Sequence, residues 1–407
     1  MNILYVHQYA MKPEQAGLSR AFDYSRALVS RGNTVTLLAG SHDHFAGHDP
    51  HLQADEDGRR ERVEGVEFQW LKTPAYRGNT LGRIRNMLNF MWQVARLRPD
   101  RVPDVVIGSS PSLFAAVGAW WLSRRLQRPF VLEIRDLWPD SLIDLGGYSR
   151  LDPRILAFRL LEKLLYRRAQ LVVSALPGSE RHINAVARRE CPFAWVPNAL
   201  YRLPELAEPA PRDGNFVLMY SGTHGLANHL DALLDAAACL QQQGVDDIEI
   251  RLIGQGPERE RLQRRATDEG LQNVHFLPAV PKAEIYDVLA EADAFVILFK
   301  DVPVYRYGVS ANKIFDYLAM SRPVLFGSEA RYHPERDCDA CLRVPSEHPE
   351  AIAAAIRDLR DRSGEERAAL GRAGREYVQA EFLVEHHAAR LEKALAGVLR
   401  NEKADRA

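Results

Sequence analysis

The sequence predicts an α/β protein made of two doubly wound domains, and three observations support that prediction. Short apolar segments alternate with helix-like segments from the first residues onward, as in parallel sheets with crossover helices. The alternation restarts after residues 196–215, which are rich in proline and lack apolar periodicity. A chain of 407 residues also exceeds the usual size of one hydrophobic core, so two domains are expected.

Each half of the chain contributes its own series of elements. Strands are expected at 3–6, 34–40, 105–108, 130–136 and 171–176, and then at 216–222, 248–256, 274–277, 294–299 and 324–327. Helices are expected at 17–31, 228–243, 257–269 and 282–292, with others after residue 108, near residue 310 and after residue 327. The predicted domains are 1–198 and 215–380, joined by a linker at 199–214 and followed by a helix at 381–407 near the domain junction. Two such domains facing each other form a deep cleft at the carboxyl ends of their strands, where these folds bind ligands.

The composition is that of an ordinary globular enzyme, with 46% hydrophobic and 26% charged residues. Four scattered cysteines are too few for a disulfide framework, and the single Cys338–Cys341 pair is too little for a zinc site. The N-terminus lacks the basic and apolar regions of a signal peptide, and no stretch approaches about 18 apolar residues. The protein is therefore expected in the cytoplasm.

The near-neutral net charge hides an asymmetry between the halves. Residues 1–200 hold 27 Lys and Arg against 20 Asp and Glu, and the remaining residues hold 26 against 34. A basic half favours an acidic partner such as anionic lipid, a polyphosphate or nucleic acid, although solvated surface charges could also produce it. Nucleic-acid binding is the least favoured hypothesis, because the overall charge is balanced and no recognition motif is present.

The loops that follow the predicted strands hold small residues suited to a ligand. Gly17 lies at the entry to the first helix, where glycine permits close backbone approach to a phosphate. The strand at 216–222 runs into Gly222, Thr223 and His224. Gly254 lies at the end of the next predicted strand, before a helix that begins with proline. The turn formed by Leu277 and Pro278 suits a planar base.

The stretch 308–324, GVSANKIFDYLAMSRPV, carries the strongest signal. A helix that begins near Ser310 and Ala311 directs free N–H groups toward an anion, with Asn312 at its start. Lys313 adds a positive charge for phosphate, and Asp316, one turn later, can accept two hydrogen bonds from a ribose diol. Together these groups predict a nucleoside diphosphate site. The alternative is an amphipathic helix with a solvated Lys–Asp pair.

A charged pair, Arg135 and Asp136, lies at the exit of the buried strand expected at 130–136 in the first half. Charges at that place are costly unless they meet a ligand or each other. We favour a ligand-binding role for this pair over an internal salt bridge.

The motifs RDLWPD, GTHGLAN and GVSANKIFDY make the chain resemble the retaining glycosyltransferases of family 4 over nearly its whole length. These enzymes have the GT-B fold of two facing Rossmann-like domains. The chain looks most similar to the branch that transfers N-acetylated or 6-deoxy amino sugars, such as N-acetyl-fucosamine, into bacterial O-antigen or capsule polysaccharides. The resemblance implies that Asp316 holds the ribose of a UDP-sugar, that 310–313 and 222–224 meet its phosphates, and that 277–278 contacts the base.

The chain departs from the family pattern at three places. Gly308 stands where the family usually has the first of two Glu residues that lie eight positions apart, and Asp316 stands at the second. Arg135 stands where many members have a His that reaches the 6-position of the donor sugar, which favours a 6-deoxy or otherwise unusual sugar here. The Arg/Lys pair common in the loop after residue 222 is missing, so Lys313 and Arg135 are expected to neutralise the phosphates.

The predicted reaction is a metal-independent, retaining transfer from a UDP-sugar, with Arg135, Asp136, His224 and Lys313 as the catalytic residues. The acceptor is expected to be polyprenyl-linked or a polysaccharide. Two alternatives stay open, a nonhydrolysing UDP-sugar epimerase and a non-catalytic sugar-nucleotide-binding protein.

Two basic stretches, 79–98 and 154–170, favour peripheral contact of the N-terminal domain with the anionic inner face of the plasma membrane. In the first stretch, helical spacing predicts one apolar face made of Leu81, Ile84, Leu88, Met91 and Ala95. Ordinary crossover helices packed on the sheet are the alternative for both stretches.

Overall fold

The computed structural model describes residues 1–13, 20–43, 47–53, 55–78, 81–206, 214–281, 284–331 and 338–406. The chain divides into two compact units, one formed by Met1–Asn198 with Val384–Ala407 and the other by Ala199–Leu383. Each unit has a largely parallel sheet with helices, so the predicted α/β class with two Rossmann-like domains is confirmed. Predicted site residue Gly17 and linker residues 207–213 lie outside the described residues.

The first unit contains eight described strands in one sheet. The strands are β1 (Asn2–Val6), β2 (Thr34–Gly40), β3 (Gly58–Val63), β4 (Val66–Leu71), β5 (Val105–Ser109), β6 (Phe130–Ile134), β7 (Leu171–Ser174) and β8 (Phe193–Trp195). The helices before residue 199 are α1 (Arg20–Ser30), α2 (Leu81–Arg96), α3 (Leu113–Leu126), α4 (Asp140–Asp144), α5 (Pro153–Arg168) and α6 (Ser179–Ala187). The strand order is β3-β4-β2-β1-β5-β6-β7-β8, and all neighbours are parallel except β3 and β4.

Strands β3 and β4 are both missing from the sequence prediction, and for β3 the reason is physical. Strand β3 reads GRRERV and lies mostly exposed at the edge of the sheet. An edge strand made of charged residues has neither the apolar run nor the alternation that identifies a strand in sequence. Charged side chains at such an edge also discourage pairing with another chain.

The helices of the first unit form two layers. Helices α2, α3, α5 and α6 pack side by side in that order, while α1 packs against β2 and β4. Right-handed crossovers place α2, α3, α5 and α6 on one side of the sheet and α1 on the other. The layer made of α2, α3 and α5 therefore has a single outward surface.

The second unit contains a parallel sheet of six described strands. The strands are β9 (Phe216–Ser221), β10 (Ile248–Ile253), β11 (Val274–Leu277), β12 (Ala294–Leu298), β13 (Val324–Gly327) and β14 (Cys341–Val344). The helices are α7 (Leu230–Gln242), α8 (Arg259–Asp268), α9 (Ile285–Leu289), α10 (Asn312–Ala319), α11 (Pro349–Asp361) and α12 (Gly364–Glu381). The strand order is β11-β10-β9-β12-β13-β14. The final helix, α13 (Val384–Arg406), packs against α1 and β7 of the first unit.

Element ends differ from the sequence prediction by small shifts. The helix expected at 228–243 begins at Leu230, because His229 has a φ of +43° that interrupts the helix after the short 3₁₀ turn at Leu226–Asn228. The helix expected near residue 310 begins at Asn312. All five residues of β12 are buried, so this strand lies at the centre of the core and fixes the loops that follow it.

Candidate functional site

Two glycine turns meet at the carboxyl ends of β9 and β10. The Gly222 N–H donates to the Ile253 carbonyl at 2.9 Å. Gly222 and Gly254 have φ values of +150° and +140°, which side chains rarely allow. A Cβ at Gly254 would lie 2.0 Å from the Gly222 carbonyl oxygen, and one at Gly256 would lie 2.3 Å from the His224 oxygen. The two loops can therefore meet only because these positions lack side chains.

A buried amine lies beside these turns. Lys313, in the first turn of α10, directs Nζ to the Tyr220 hydroxyl at 2.7 Å and to Asn228 Oδ1 at 3.0 Å. A Cβ at Gly222 would lie 2.9 Å from this Nζ. Burial lowers the pKa of Lys313 to about 7. Among the described residues no carboxylate lies within ion-pair distance of Lys313, so the amine lacks a negative partner.

The N-terminus of α10 has no side-chain cap. Ala311 occupies the N-cap position with extended backbone, and no side chain caps the helix there. The N–H groups of the first turn, which begins at Asn312, therefore have no side-chain acceptor in the cap position, and the helix dipole favours an anion beside them. Ser310 and Ala311 directly precede this turn. The structure thus brings 310–312, Lys313 and the Gly222 turn into one region.

Asp316 lies one turn further along α10 and has a partner that the sequence analysis missed. The Tyr286 hydroxyl of α9 donates to Asp316 Oδ1 at 2.8 Å. Helix α9 follows β11, whose last residue, Leu277, accepts a hydrogen bond from the Gly254 N–H at 3.4 Å. The Leu277–Pro278 turn therefore joins the same loop cluster. The pairing of Tyr286 with Asp316 spans 30 positions and leaves no local sequence signal.

The Thr223–His224 loop is held mainly through its backbone. The Thr223 carbonyl accepts from the Tyr220 hydroxyl at 2.7 Å and from Asn228 Nδ2 at 2.8 Å. The His224 N–H donates to the Gln255 carbonyl at 2.9 Å. The residues that hold the lysine thus also hold the loop.

The His224 side chain is fully buried between the rings of Tyr220 and Phe276. Burial lowers the pKa of His224 to about 4, and the charges of Arg259 and Lys313 act in the same direction. No hydrogen bond of good geometry reaches either ring nitrogen from the described residues, although the nearby Ile253 backbone acts to raise the pKa of His224. A neutral, enclosed imidazole supports the loop by packing, and its expected catalytic role stays a prediction.

A second residue absent from the sequence prediction, Tyr317, ties α10 to β9. Its hydroxyl accepts from the Ser221 N–H at 2.6 Å and donates to the Ser221 carbonyl at 2.9 Å. Its ring stacks on Phe295 with centroids 4.2 Å apart. This anchor fixes the start of α10 relative to the glycine turn.

In the first unit a buried carboxylate, Glu133, lies near the end of β6. It accepts hydrogen bonds from the Tyr5 hydroxyl at 2.6 Å, the Ser109 hydroxyl at 2.5 Å and Arg20 Nε at 3.0 Å. Burial alone would raise the pKa of Glu133, but the charges of Arg20 and Arg135 and these hydrogen bonds lower it to about 2. Glu133 is therefore ionised and is the centre of the polar network in this unit.

Arg135 meets His7 rather than its sequence neighbour. Its guanidinium donates to His7 Nε2, and burial together with the Arg135 charge lowers the pKa of His7 to about 3. Asp136 accepts from the Leu137 N–H at 2.8 Å, and burial raises the pKa of its carboxyl group. No Arg135–Asp136 ion pair exists within the described ranges. The internal salt bridge considered from sequence is thus not present.

No group of three or more metal-ligating side chains comes together in the part of the chain that the structure describes. The independence from metal expected from sequence stays a prediction.

Comparison with known proteins places both units in glycosyltransferase families. Residues 19–199 match the family described as glycosyl transferase 4-like domain, and residues 215–362 match glycosyl transferases group 1. A protein of Escherichia coli K12 described as a colanic acid biosynthesis glycosyl transferase, WcaI, is 24% identical over 388 aligned positions, covering 88% of this chain and 91% of that protein.

Solved structures show the same fold across the whole chain. Sucrose-phosphate synthase from Thermosynechococcus elongatus is 17% identical, with a TM-score of 0.76 over 98% of this chain and 99% of that one. Anabaena HepE, solved with UDP and glucose, is 14% identical, with a TM-score of 0.67 over 98% of this chain and 100% of that one. These likenesses confirm the GT-B fold.

Proposed function

Because the chain is a glycosyltransferase, joining a glycosyl transferase 4-like domain to a group 1 domain, we propose that it is a retaining family 4 enzyme that uses a UDP-sugar. The proposed sugar is an N-acetylated amino sugar of the N-acetyl-fucosamine type, and the proposed acceptor is polyprenyl-linked or a polysaccharide. A role in assembly of a bacterial cell-surface glycan, such as O-antigen or capsule, is supported by the likeness to WcaI. The use of UDP is supported by HepE, which was solved with UDP and glucose on the same fold.

The observation that carries this proposal is the buried Lys313 amine at the open N-terminus of α10. A positive group without a negative partner, beside uncapped N–H groups and a turn without side chains, suits the pyrophosphate of a nucleotide sugar. The neighbouring groups support the remaining contacts. Asp316 offers a carboxylate for the ribose diol, and the Leu277–Pro278 turn offers backbone and apolar groups for the base.

The proposed chemistry separates the sugar from UDP with no protein nucleophile. The bond between the anomeric carbon and the β-phosphate oxygen breaks as the sugar becomes cationic. The charge that develops on the phosphate is stabilised by Lys313 and the N–H groups of α10, so no metal ion is required. The acceptor oxygen then bonds to the anomeric carbon from the face that UDP leaves, and its proton passes to a phosphate oxygen. This route retains the anomeric configuration.

The residues of the first unit have separate proposed roles. Arg135 is proposed to place its positive charge beside the donor sugar or its phosphates. Asp136 is proposed as a further catalytic residue next to it. The hydrogen bond to a neutral His7 leaves the Arg135 charge without a carboxylate in direct contact among the described residues. An arginine in place of a histidine that reaches the 6-position supports a 6-deoxy sugar.

The proposal is tested by turnover. The full-length protein is supplied with a panel of UDP-sugars and a polyprenyl-diphosphate-linked sugar acceptor, and UDP release and product linkage are measured. We expect UDP release that requires the acceptor, an N-acetylated amino sugar as the best donor, and a product whose anomeric configuration by NMR matches that of the donor. Binding without release would support a sugar-nucleotide-binding protein instead, and an inverted product would exclude the retaining route.

A further inference from the structure

Three neighbouring helices of the first unit present a strongly basic surface. Helices α2, α3 and α5 together contain ten Lys and Arg residues and one acidic residue, Glu162. That carboxylate is buried, and it forms a hydrogen bond with His182 Nε2 at 2.7 Å. The outward surface of this helical layer therefore carries positive charges from its helices without an exposed acid among them.

Helix α2 has an outward stripe of mixed apolar and basic side chains. At about 100° per residue, positions 81, 85, 88, 92 and 96 fall within an arc of about 80°. Leu81, Arg85, Trp92 and Arg96 of this stripe are exposed, and Leu88 is half-buried. The opposite stripe, formed by Met87, Phe90, Met91 and Val94, is buried.

This arrangement corrects the apolar face expected from sequence. Met91 belonged to that expected face, but it packs inside the unit. The face that remains outside combines leucine and tryptophan with arginine. Sequence periodicity alone could not distinguish the two faces, because both carry apolar residues.

Helix α5 also has leucine side chains on its exposed side. Leu156, Leu160, Leu164 and Arg167 fall within an arc of about 80°. The exposed fraction is 71% for Leu160 and 80% for Leu151, which lies two residues before the helix. Only Ile155, Glu162, Leu165 and Tyr166 of this 16-residue helix are buried. A crossover helix that only covered its sheet would bury most of its leucines instead.

Tryptophan rings bridged by arginines connect the three helices. Trp92 of α2 and Trp121 of α3 meet edge to face with ring centroids 5.5 Å apart, although 46% and 39% of their surfaces are exposed. The Arg96 guanidinium lies over the Trp92 ring at 5.3 Å. Trp120 of α3 lies beneath two guanidinium groups, one from α3 and one from α5. The surface is therefore continuous across the layer.

Most cations of this surface have no carboxylate partner. Within the described ranges, seven of them form no ion pair, namely Arg85, Arg96, Arg124, Arg125, Lys163, Arg167 and Arg168. Their charges are free to attract an external anionic surface.

We propose that the α2–α3–α5 surface docks on an anionic lipid bilayer, with the leucine and tryptophan side chains inserted at the headgroup level and the arginines on lipid phosphates. Exposed leucines add apolar burial, tryptophans favour the membrane interface, and unpaired arginines attract anionic headgroups. No helix in the described ranges has the length and apolar character needed to cross a bilayer. This inference is independent of the proposed reaction, because docking needs neither donor nor acceptor.

The test is flotation of the full-length protein with vesicles. Vesicles of phosphatidylcholine with phosphatidylglycerol are compared with vesicles of phosphatidylcholine alone, at low and high salt. We expect binding to the anionic vesicles that weakens with salt. The double charge reversal Arg96→Glu with Arg167→Glu should lower the affinity at least about 25-fold, since each basic group contributes about fivefold.

Two further variants separate docking from other effects. Lys393→Glu with Arg400→Glu reverses two exposed charges on α13 outside this layer, and it should leave binding nearly unchanged. Leu156→Ser with Leu160→Ser should weaken vesicle binding about tenfold or more without lowering the melting temperature, because both leucines are exposed. UDP affinity should stay the same in all three variants.

Three results would overturn the proposal. Equal binding to neutral and anionic vesicles would remove the electrostatic argument. An equal loss in the α13 variant would show a general charge effect. Self-association in ultracentrifugation that the leucine variant abolishes, with no vesicle binding by the parent protein, would assign the surface to a second copy of the chain.

Discussion

The Lys313 amine lies 2.7 Å from the Tyr220 hydroxyl, so α10 and β9 meet through a buried polar contact rather than through apolar packing alone. The same tyrosine hydroxyl donates to the Thr223 carbonyl at 2.7 Å. The lysine, the glycine turn and the start of α10 therefore form one connected arrangement. The network around Glu133 is a comparable buried polar arrangement in the first unit.

Removing the Lys313 charge should slow catalysis and change its pH dependence. Lys313→Gln should lower turnover by about 100-fold or more, as for other groups that stabilise developing negative charge. In the parent protein the pKa of Lys313 is about 7, so the amine is charged below pH 7 and must take up a proton from solvent to bind a diphosphate above it. UDP-sugar affinity should fall as pH rises above 7, by up to about tenfold per pH unit.

Calorimetry with a UDP-sugar between pH 6 and pH 9 measures this effect, because the sugar-nucleotide phosphates do not titrate there. The parent protein should take up a proton on binding at the upper end of this range, and Lys313→Gln should not. A flat affinity profile in the parent protein would contradict the role of Lys313.

Asp316→Ala should weaken UDP binding by about 100-fold, which corresponds to about 3 kcal/mol for hydrogen bonds to a charged acceptor. Tyr286→Phe is the matched control, because it removes the 2.8 Å hydrogen bond to Asp316 but leaves the carboxylate in place. This variant should bind UDP within a few-fold of the parent protein. Unchanged affinity in Asp316→Ala by calorimetry would remove the ribose role.

Gly254→Ala should disrupt the second unit locally. Its Cβ would lie 2.0 Å from the Gly222 oxygen at a backbone φ of +140°, so the glycine turns would have to separate. We expect a loss of about 3 kcal/mol or more in stability, together with loss of UDP binding. Gly244→Ala is the control, since its φ is +71° but no atom lies within 4 Å of the new Cβ.

Gly244→Ala should lower the free energy of unfolding by about 1 kcal/mol and leave UDP affinity unchanged. Thermal unfolding and UDP titration of both variants measure the difference. Similar behaviour of the two alanine variants would show that backbone strain alone, and not the contact between the loops, decides the outcome.

Arg20→Met should destabilise the first unit by about 3–5 kcal/mol, because it leaves the Glu133 carboxylate buried without its ion-pair partner. Arg20→Met with Glu133→Leu should recover part of that loss. In the parent protein Glu133 has a pKa of about 2 against an ordinary value of 4.5. Its stabilising contribution is thus complete above pH 4.5 and is lost as pH falls toward 2. Urea unfolding at several pH values measures both effects, and a double variant less stable than Arg20→Met would refute this account.

Turnover should survive chelation. The proposed stabilisation of the leaving phosphate uses Lys313 and the α10 N–H groups, so EDTA should leave the rate of UDP release nearly unchanged. Loss of activity in EDTA, restored by a divalent cation, would show that a metal ion takes part.

Sequence reasoning found the residues whose signal is local and missed those whose partners are distant. The helix start near Ala311 and the position of Lys313 follow from spacing and turn residues. The contact of Lys313 with Tyr220 joins residues 93 positions apart, so no pattern in either segment reveals it. Glu133 did leave a signal, since a carboxylate inside the apolar segment FVLEI requires a buried partner.

The outward leucines of α5 show a different limit. Their helical spacing is visible in the sequence, but the spacing does not tell which side of a helix meets the sheet. That choice depends on how α3 and α5 pack, which involves contacts far apart in the chain. The outward face of the α2–α3–α5 layer is therefore defined by burial and not by helical spacing.

A crystal structure of the protein with UDP tests the central claim most directly. The account predicts pyrophosphate density at the N-terminus of α10, with Lys313 Nζ at hydrogen-bond distance from a phosphate oxygen and both ribose hydroxyls on Asp316. UDP bound away from this helix end, with Lys313 still held only by Tyr220 and Asn228, would contradict it.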